Sequence, residues 1–224
     1  MRFFKFYSRT WYYIGGIMFV VLAFVVGFFG ETFNPVSKIL TLSFMALLVH
    51  QFEEYAFPGG FPAVMNAAWM GEKEVPDRYP LNRKTATIVN VACAYPFYIL
   101  AILFPGLIWL GLAQVLFGIA QILIHGIVIN VKMKSWYNPG LGAVVLLHWP
   151  IGIYYIWYVY ANGLIQPWHW AAGIGLTVVA AMAMVNLPVQ LLKNKKSEYF
   201  FSTEEMYRFN VVEKLEHLKA NKTK

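Results

Sequence analysis

Apolar residues along this chain run in long blocks, and the blocks recur. A helix needs about 20 such residues to cross the hydrocarbon of a bilayer. The blocks predict six spans, at about Tyr12–Phe29, Val36–Phe57, Ala86–Phe104, Gly106–Val131, Leu141–Ala161 and Pro167–Leu192. Only Pro105-Gly106, a turn dipeptide, separates the third from the fourth, so these two should form a tight helical hairpin. The first block is too long for a cleavable signal, lacks a small-x-small cleavage pattern and is followed by further spans. The expected fold is all-α, a polytopic membrane bundle of about six helices. Residues 1–192 would form the membrane domain and 193–224 a basic tail.

Composition agrees with the pattern. Apolar residues make up 59% of the chain and charged residues 13%, where soluble proteins hold roughly 45–50% and about 25%. A net charge of +7 would suit a nucleic-acid partner, but its distribution excludes that reading. Of the 18 lysines and arginines, all except Lys38 fall on one side of a six-span topology. The positive-inside rule then places both termini in the cytoplasm of a multi-pass cell-membrane protein. Trp11, Trp69, Trp109, Trp136, Trp168 and Trp170 fall near predicted boundaries, where interfacial aromatic belts sit. Cys93 is the one cysteine, so no intrachain disulfide can form.

Two segments outside the spans carry information. Pro58–Thr85 opens with Pro58-Gly59-Gly60-Phe61-Pro62, and its first half is too apolar for a solvated loop. It reads either as a re-entrant or surface-lying cover over the end of span two, or as an ordinary interfacial loop. In the tail, Ser202-Thr203-Glu204-Glu205 fits a capping box. Met206, Phe209, Val212 and Leu215 come next at helical spacing, which predicts a short amphipathic helix lying on the membrane or on the neighbouring loops.

The chemistry concentrates at the end of span two, which reads His50-Gln51-Phe52-Glu53-Glu54. Positions i, i+3 and i+4 share a helix face, so His50, Glu53 and Glu54 are expected to project together. Ionisable residues near the bilayer centre cost about 2.5–3.5 kcal/mol each on insertion scales and therefore need partners. Depth selects them. His50 lies about seven residues from its span end, roughly 10 Å at 1.5 Å per residue. His125, His148, Asn90 and Asn186 occupy the same slab on spans four, five, three and six. Gln114, Gly118, Gln121 and His125 form one stripe of small or polar residues, which should face the bundle. Gln114 and Gln121 read as interhelical glue, and His125 as part of the site. His169 lies near the opposite end and His217 on the tail, which excludes both.

At these residues the chain resembles the bacterial HXXEE family, named for its motif. The resemblance extends to the later intramembrane His125 and to Tyr137-Asn138-Pro139-Gly140. It covers most of the six-span region but not the tail, and it implies no particular reaction.

His with Glu at i+4 is half of a divalent-metal site, and His125 and His148 would complete a three- or four-ligand set. Three protein ligands with an open position is the catalytic zinc pattern. The expected metal ligands are His50, Glu54, His125 and His148, with zinc the favoured cofactor. Glu53 and Glu54 are the candidate acid/base pair, and which is ligand and which base stays open. Asn66, Asn90, Tyr137 and Asn186 are candidates to line the site or touch the substrate. The favoured function is a metal-dependent enzyme, most simply a hydrolase, taking a lipid or other amphiphilic substrate near the cytoplasmic face. A transporter or proton-coupled carrier using the same cluster, a metal-free Glu/His acid/base enzyme and a structural or accessory role are the alternatives. Carriers usually show inverted repeats and paired broken helices, which this chain lacks. The aromatic run Tyr154-Tyr155-Ile156-Trp157-Tyr158 reads as helix packing rather than cavity lining.

Overall fold

The computed structural model describes residues 2–220, with side chains described through Glu216. The side chains of His217 and Lys219, and residues Lys222 and Lys224, lie outside the described residues. Six helices are long and apolar enough to cross a membrane: α1 (Arg2–Phe29), α2 (Pro35–Tyr55), α4 (Arg83–Leu103), α5 (Ile108–Met133), α6 (Leu141–Ala161) and α7 (Pro167–Leu192). A short helix, α3, starts at Phe61–Ala63 and runs on through a π turn at Val64–Trp69. The tail holds α8 (Thr203–Tyr207) and α9 (Val211–Ala220). Among the described residues there is no strand. The chain is a polytopic six-helix membrane bundle.

Local chemistry sets the helix ends. The Asn34 side chain accepts from the backbone N–H groups of Val36 and Ser37, with Pro35 in the first turn. Asn82 does the same for Thr85 at the start of α4. The α4–α5 hairpin closes on Leu107 N–H to Phe104 C=O at 2.9 Å, around Pro105-Gly106 as the turn dipeptide predicts.

Helix α2 is the central post, the most buried of the six, and α1 is the least. Apolar side chains such as Ile17, Phe24, Leu146 and Val178 stay exposed on the outer faces, as a lipid-facing surface requires. Helix α1 begins ten residues before the predicted Tyr12. Its extension is held by the tail, where Phe4 packs edge-on against Tyr199 and Lys5 pairs with Glu198 at 3.3 Å. Trp11, expected near a boundary, faces the protein interior rather than the outer surface. It is 1% exposed and packs on Tyr55.

Helix α3 covers the end of α2, which favours the cover reading of that loop. Asn66 is the stitch that holds it. Its amide donates to the carbonyls of Pro76 and Leu81, and its carbonyl accepts from Leu81 N–H at 2.9 Å.

The expected capping box at Ser202 and Glu205 is present, but the helix after it is not continuous. The chain breaks at Arg208–Asn210, with Phe209 in the left-handed region at φ 60°. Arg208 causes the break by docking: its Nη1 donates to the carbonyls of Tyr55 and Ala56, at the C-terminus of α2. Gly60, at φ +95°, permits the approach, since a Cβ there would lie 2.5 Å from the Arg208 carbonyl oxygen. The tail therefore packs on α2 and α3 as two short helices.

Candidate metal centre

Helix α2 delivers His50 and Glu54 one turn apart, both buried. Helix α5 delivers His125 from a π turn at Leu123–Ile129, and α6 delivers His148 from another at Val144–His148. Asn90 and Asn186 also sit on π turns, at Ile88–Cys93 and Ala181–Asn186. A π turn adds a residue to the helix and re-aims the side chains beyond it, and such turns gather at functional sites.

One Glu54 oxygen, Oε1, lies 3.5 Å from His50 Nε2 and 3.4 Å from His125 Nε2. The three ligand atoms lie within 4.8 Å of one another. The other nitrogen of each ring is already committed. His50 Nδ1 meets the Gly140 carbonyl at 3.0 Å, and a carbonyl only accepts, so Nδ1 carries the proton. His125 Nδ1 meets Asn138 Oδ1 at 2.7 Å. Asn138 is oriented by its own amide, which donates to His125 C=O and to Asn130 Oδ1, both at 2.7 Å. In their neutral form both rings therefore present a bare Nε2 lone pair to the carboxylate. Three acceptors facing one another repel unless a proton or a metal cation joins them. For bond lengths near 2.0–2.1 Å, tetrahedral ligand atoms stand roughly 3.3–3.4 Å apart. The separations from Glu54 Oε1 to the two imidazoles match that spacing, and the donor set fits a zinc-class ion.

His148 is brought to the same place without joining the trio. Its ring stands edge-on to His50, with centroids 5.7 Å apart. Its buried Nε2 has no hydrogen-bond partner among the described residues. Gly118 makes room for it, because a Cβ there would lie 2.3 Å from His148 Nδ1. Phe61 of α3 stacks over the His125 ring at 5.5 Å and closes the site from that side.

Glu53 does not project with His50 and Glu54 into the cluster. Successive helical residues are about 100° apart, and this turn carries Glu53 to the start of α6. There Oε1 accepts from Tyr137 Oη at 2.6 Å and Gly142 N–H at 2.9 Å, and Oε2 from Ala143 N–H at 2.7 Å. Burial and this carboxylate together push the Tyr137 phenol well above its ordinary pKa. Asn66 is likewise placed in the loop stitch, away from the trio.

An apolar cavity of about 520 Å³ reaches the trio. His50, Glu54 and His125 form part of its wall, with Leu47, Phe117, Ile124, Met184 and Val185 among the apolar lining. Asn90, Asn186 and Gln121 add polar groups to it. Gln121 is thus a cavity residue rather than glue, whereas Gln114 does bridge helices, donating to Leu40 C=O at 2.9 Å. The aromatic run on α6 lies outside the cavity, and Tyr155 donates to Ile108 C=O instead. At the opposite end, His169 accepts from Gln166 N–H in a cap and takes no part.

The sequence profile described as "Protein of unknown function with HXXEE motif" matches residues 41–155. This chain belongs to the HXXEE family. The matched segment holds the whole trio, His148, Asn138 and Gly140. Neither the curated proteins nor the solved structures contain a match. Within the HXXEE motif, the histidine and second glutamate go to the trio, and the first glutamate goes to the α2–α6 junction. The sequence alone assigns no role to Asn138 or Gly140, although an Asn-Pro-Gly turn near a buried histidine is the signal that points to them.

Proposed function

We propose that this HXXEE protein is a membrane-embedded, metal-dependent enzyme of the hydrolase type, acting on a lipid or other amphiphilic substrate. The observation that carries the reading is the trio: two imidazoles with bare Nε2 atoms converge on one buried carboxylate at the wall of an apolar cavity. His50, Glu54 and His125 are the three protein ligands, which leaves an open position for a reactant. A zinc-class cation bound there supplies Lewis acidity and activates water at neutral pH.

The chain's own residues supply the rest. Gly140 C=O and Asn138 Oδ1 fix the tautomer and direction of the two ligand rings, the usual task of groups behind a metal ligand. We assign proton transfer to His148, whose buried Nε2 has no partner among the described residues and whose ring stands edge-on to His50. Glu53 is engaged by three donors, so the base role falls to His148 rather than to Glu53. The apolar cavity accepts the substrate's chain and keeps bulk water away, while Asn90, Gln121 and Asn186 meet its polar part. The charge bias supports placing both termini in the cytoplasm, with the trio toward the inner leaflet of the cell membrane. Membrane lipid is then the natural source of substrate. Residues 193–220 act as a cytoplasmic cover docked on the membrane domain.

Elemental analysis of the full chain, purified gently in detergent, tests the metal. We expect about one zinc-class ion per chain, retained in His148→Ala and lost in both His50→Ala and His125→Ala. Equal, trace metal in the wild type and in those two variants would overturn the reading.

A further inference from the structure

A second cavity lies where α1 begins and the tail leaves α7, and it shares no lining residue with the cavity at the trio. Its volume is about 400 Å³ and its walls are polar and basic. Lys5 and Arg9 reach it from α1, Arg78 and Arg83 from the segment entering α4, and Lys196 from the segment leaving α7; Glu198 is the one acid in the wall. Three chain segments distant in sequence thus bring five cations to one cleft.

Most of that charge is balanced from outside or from the rim. Arg78 forks onto Asp77, with Nη2 at 2.7 Å. Arg83 pairs with Glu205, and Lys5 with Glu198. Arg9 and Lys196 form no ion pair among the described residues. The cleft therefore keeps an excess of about two positive charges. Hydrogen-bond donors remain as well. Buried Arg83 spends Nε on Phe200 C=O and Nη2 on Glu205, leaving Nη1 without a hydrogen bond among the described residues. Buried Ser197 accepts from Tyr199 N–H through its hydroxyl, which keeps its own hydrogen to donate.

We propose that this cleft binds a phosphomonoester. Such a group carries about −1.5 to −2 charge at neutral pH and three strong acceptor oxygens, which matches the excess charge and the free donors. Guanidinium groups favour this anion because planar, charge-assisted hydrogen bonds suit its oxygens. The group can belong to an anionic lipid headgroup or to a soluble phosphate. The proposal does not depend on the metal reading, and either can fail without the other.

The test uses the full chain in neutral detergent with four probes: phosphatidic acid, phosphatidylglycerol, phosphatidylcholine and inorganic phosphate, with retained lipid counted by native mass spectrometry. Phosphatidic acid should bind at least about tenfold tighter than phosphatidylglycerol, whose diester carries half the charge, and phosphatidylcholine weakest. The exposed pair Arg9→Gln with Lys196→Gln should weaken that binding roughly ten- to thirtyfold, at about the size expected for two basic residues near a membrane surface. Arg9→Lys with Lys196→Arg should restore it. Displacement of phosphatidic acid by millimolar phosphate identifies the phosphate as the recognised part. Binding of phosphate without phosphatidic acid identifies a soluble ligand. Equal retention of all three lipids without phosphate binding, phosphatidylglycerol bound as tightly as phosphatidic acid, or no loss in the Gln pair would each overturn the proposal.

Discussion

Glu53 and Glu54 are neighbours in sequence and opposites in surroundings. At the junction of α2 with α6, Glu53 is met by donors alone: a phenol and two backbone N–H groups from the first turn of a helix. Its charge is matched there by the positive end of the α6 dipole. At the junction of α2 with α5, Glu54 meets two imidazole nitrogens whose partner atoms make them acceptors, and no hydrogen bond reaches it among the described residues. Glu54 is buried and Glu53 half-buried, yet only Glu53 is met by hydrogen-bond donors of the protein. A carboxylate buried without donors costs several kcal/mol as long as it stays ionised, and the protein's own groups offset that cost at Glu53 and not at Glu54. Under the proposed metal reading, Glu54 is the ligand that a cation would satisfy, and Glu53 the group that holds the start of α6 beside it.

Exchanging each carboxylate for its amide is the strongest attempt to break this comparison. Glu54→Gln should weaken metal binding by more than about a hundredfold, since even groups behind a ligand contribute 10–100-fold. The metal-free protein should melt no lower, because the amide brings a donor to the two imidazole Nε2 acceptors. Glu53→Gln should do the reverse. It should cost about 2–3 kcal/mol of stability, from hydrogen bonds that were charge-assisted, and change metal affinity less than tenfold. Competition with a chromogenic chelator, run beside thermal melts in detergent, reads both. Equal metal loss in the two variants would end the distinction. A smaller effect is expected behind His125. Asn138→Leu removes the acceptor at Nδ1 and frees the ring, so metal affinity should fall about 10–100-fold while Glu53 keeps its three donors. Unchanged affinity in Asn138→Leu would show that the ring orientation comes from Phe61 and packing alone.

Much of this is legible in the sequence, and the limits have physical reasons. All six spans fall on helices long and apolar enough to cross a membrane, because twenty-residue apolar runs have few other uses. His50 with Glu54 comes from i,i+4 spacing, and His125 and His148 from depth along antiparallel helices. Glu53 misleads because its partners include backbone N–H groups some ninety residues later, and backbone groups leave no mark in a sequence. The π turns beneath His125, His148, Asn90 and Asn186 are equally silent, since local propensity does not encode them. Gln121 reaches the cavity although its stripe-mate Gln114 is glue. The tail's apolar spacing does not reveal its break, which Arg208 imposes by binding carbonyls of α2. Trp11 turns inward onto Tyr55, a contact across helices that position along the chain does not reveal.

The smallest of the expected effects is also the most discriminating about Glu53. Tyr137→Phe deletes a single hydroxyl, the 2.6 Å donor to Oε1, and leaves the ring against Phe209 with the Gly142 and Ala143 N–H groups still in place. A hydrogen bond to a charged group is worth about 1.5–3 kcal/mol when buried. Tyr137 and Glu53 are only half-buried, so water replaces part of the loss, and about 1 kcal/mol is expected. For a chain of this size that corresponds to a melting shift of about 2–4 °C. If Glu53 is an anchor, the shift is the whole effect, with metal binding and any measured turnover within about twofold of wild type. If instead Tyr137 and Glu53 pass protons to the trio, turnover should fall far more than stability. That result would move the base role back from His148 to Glu53 and make both carboxylates part of one site.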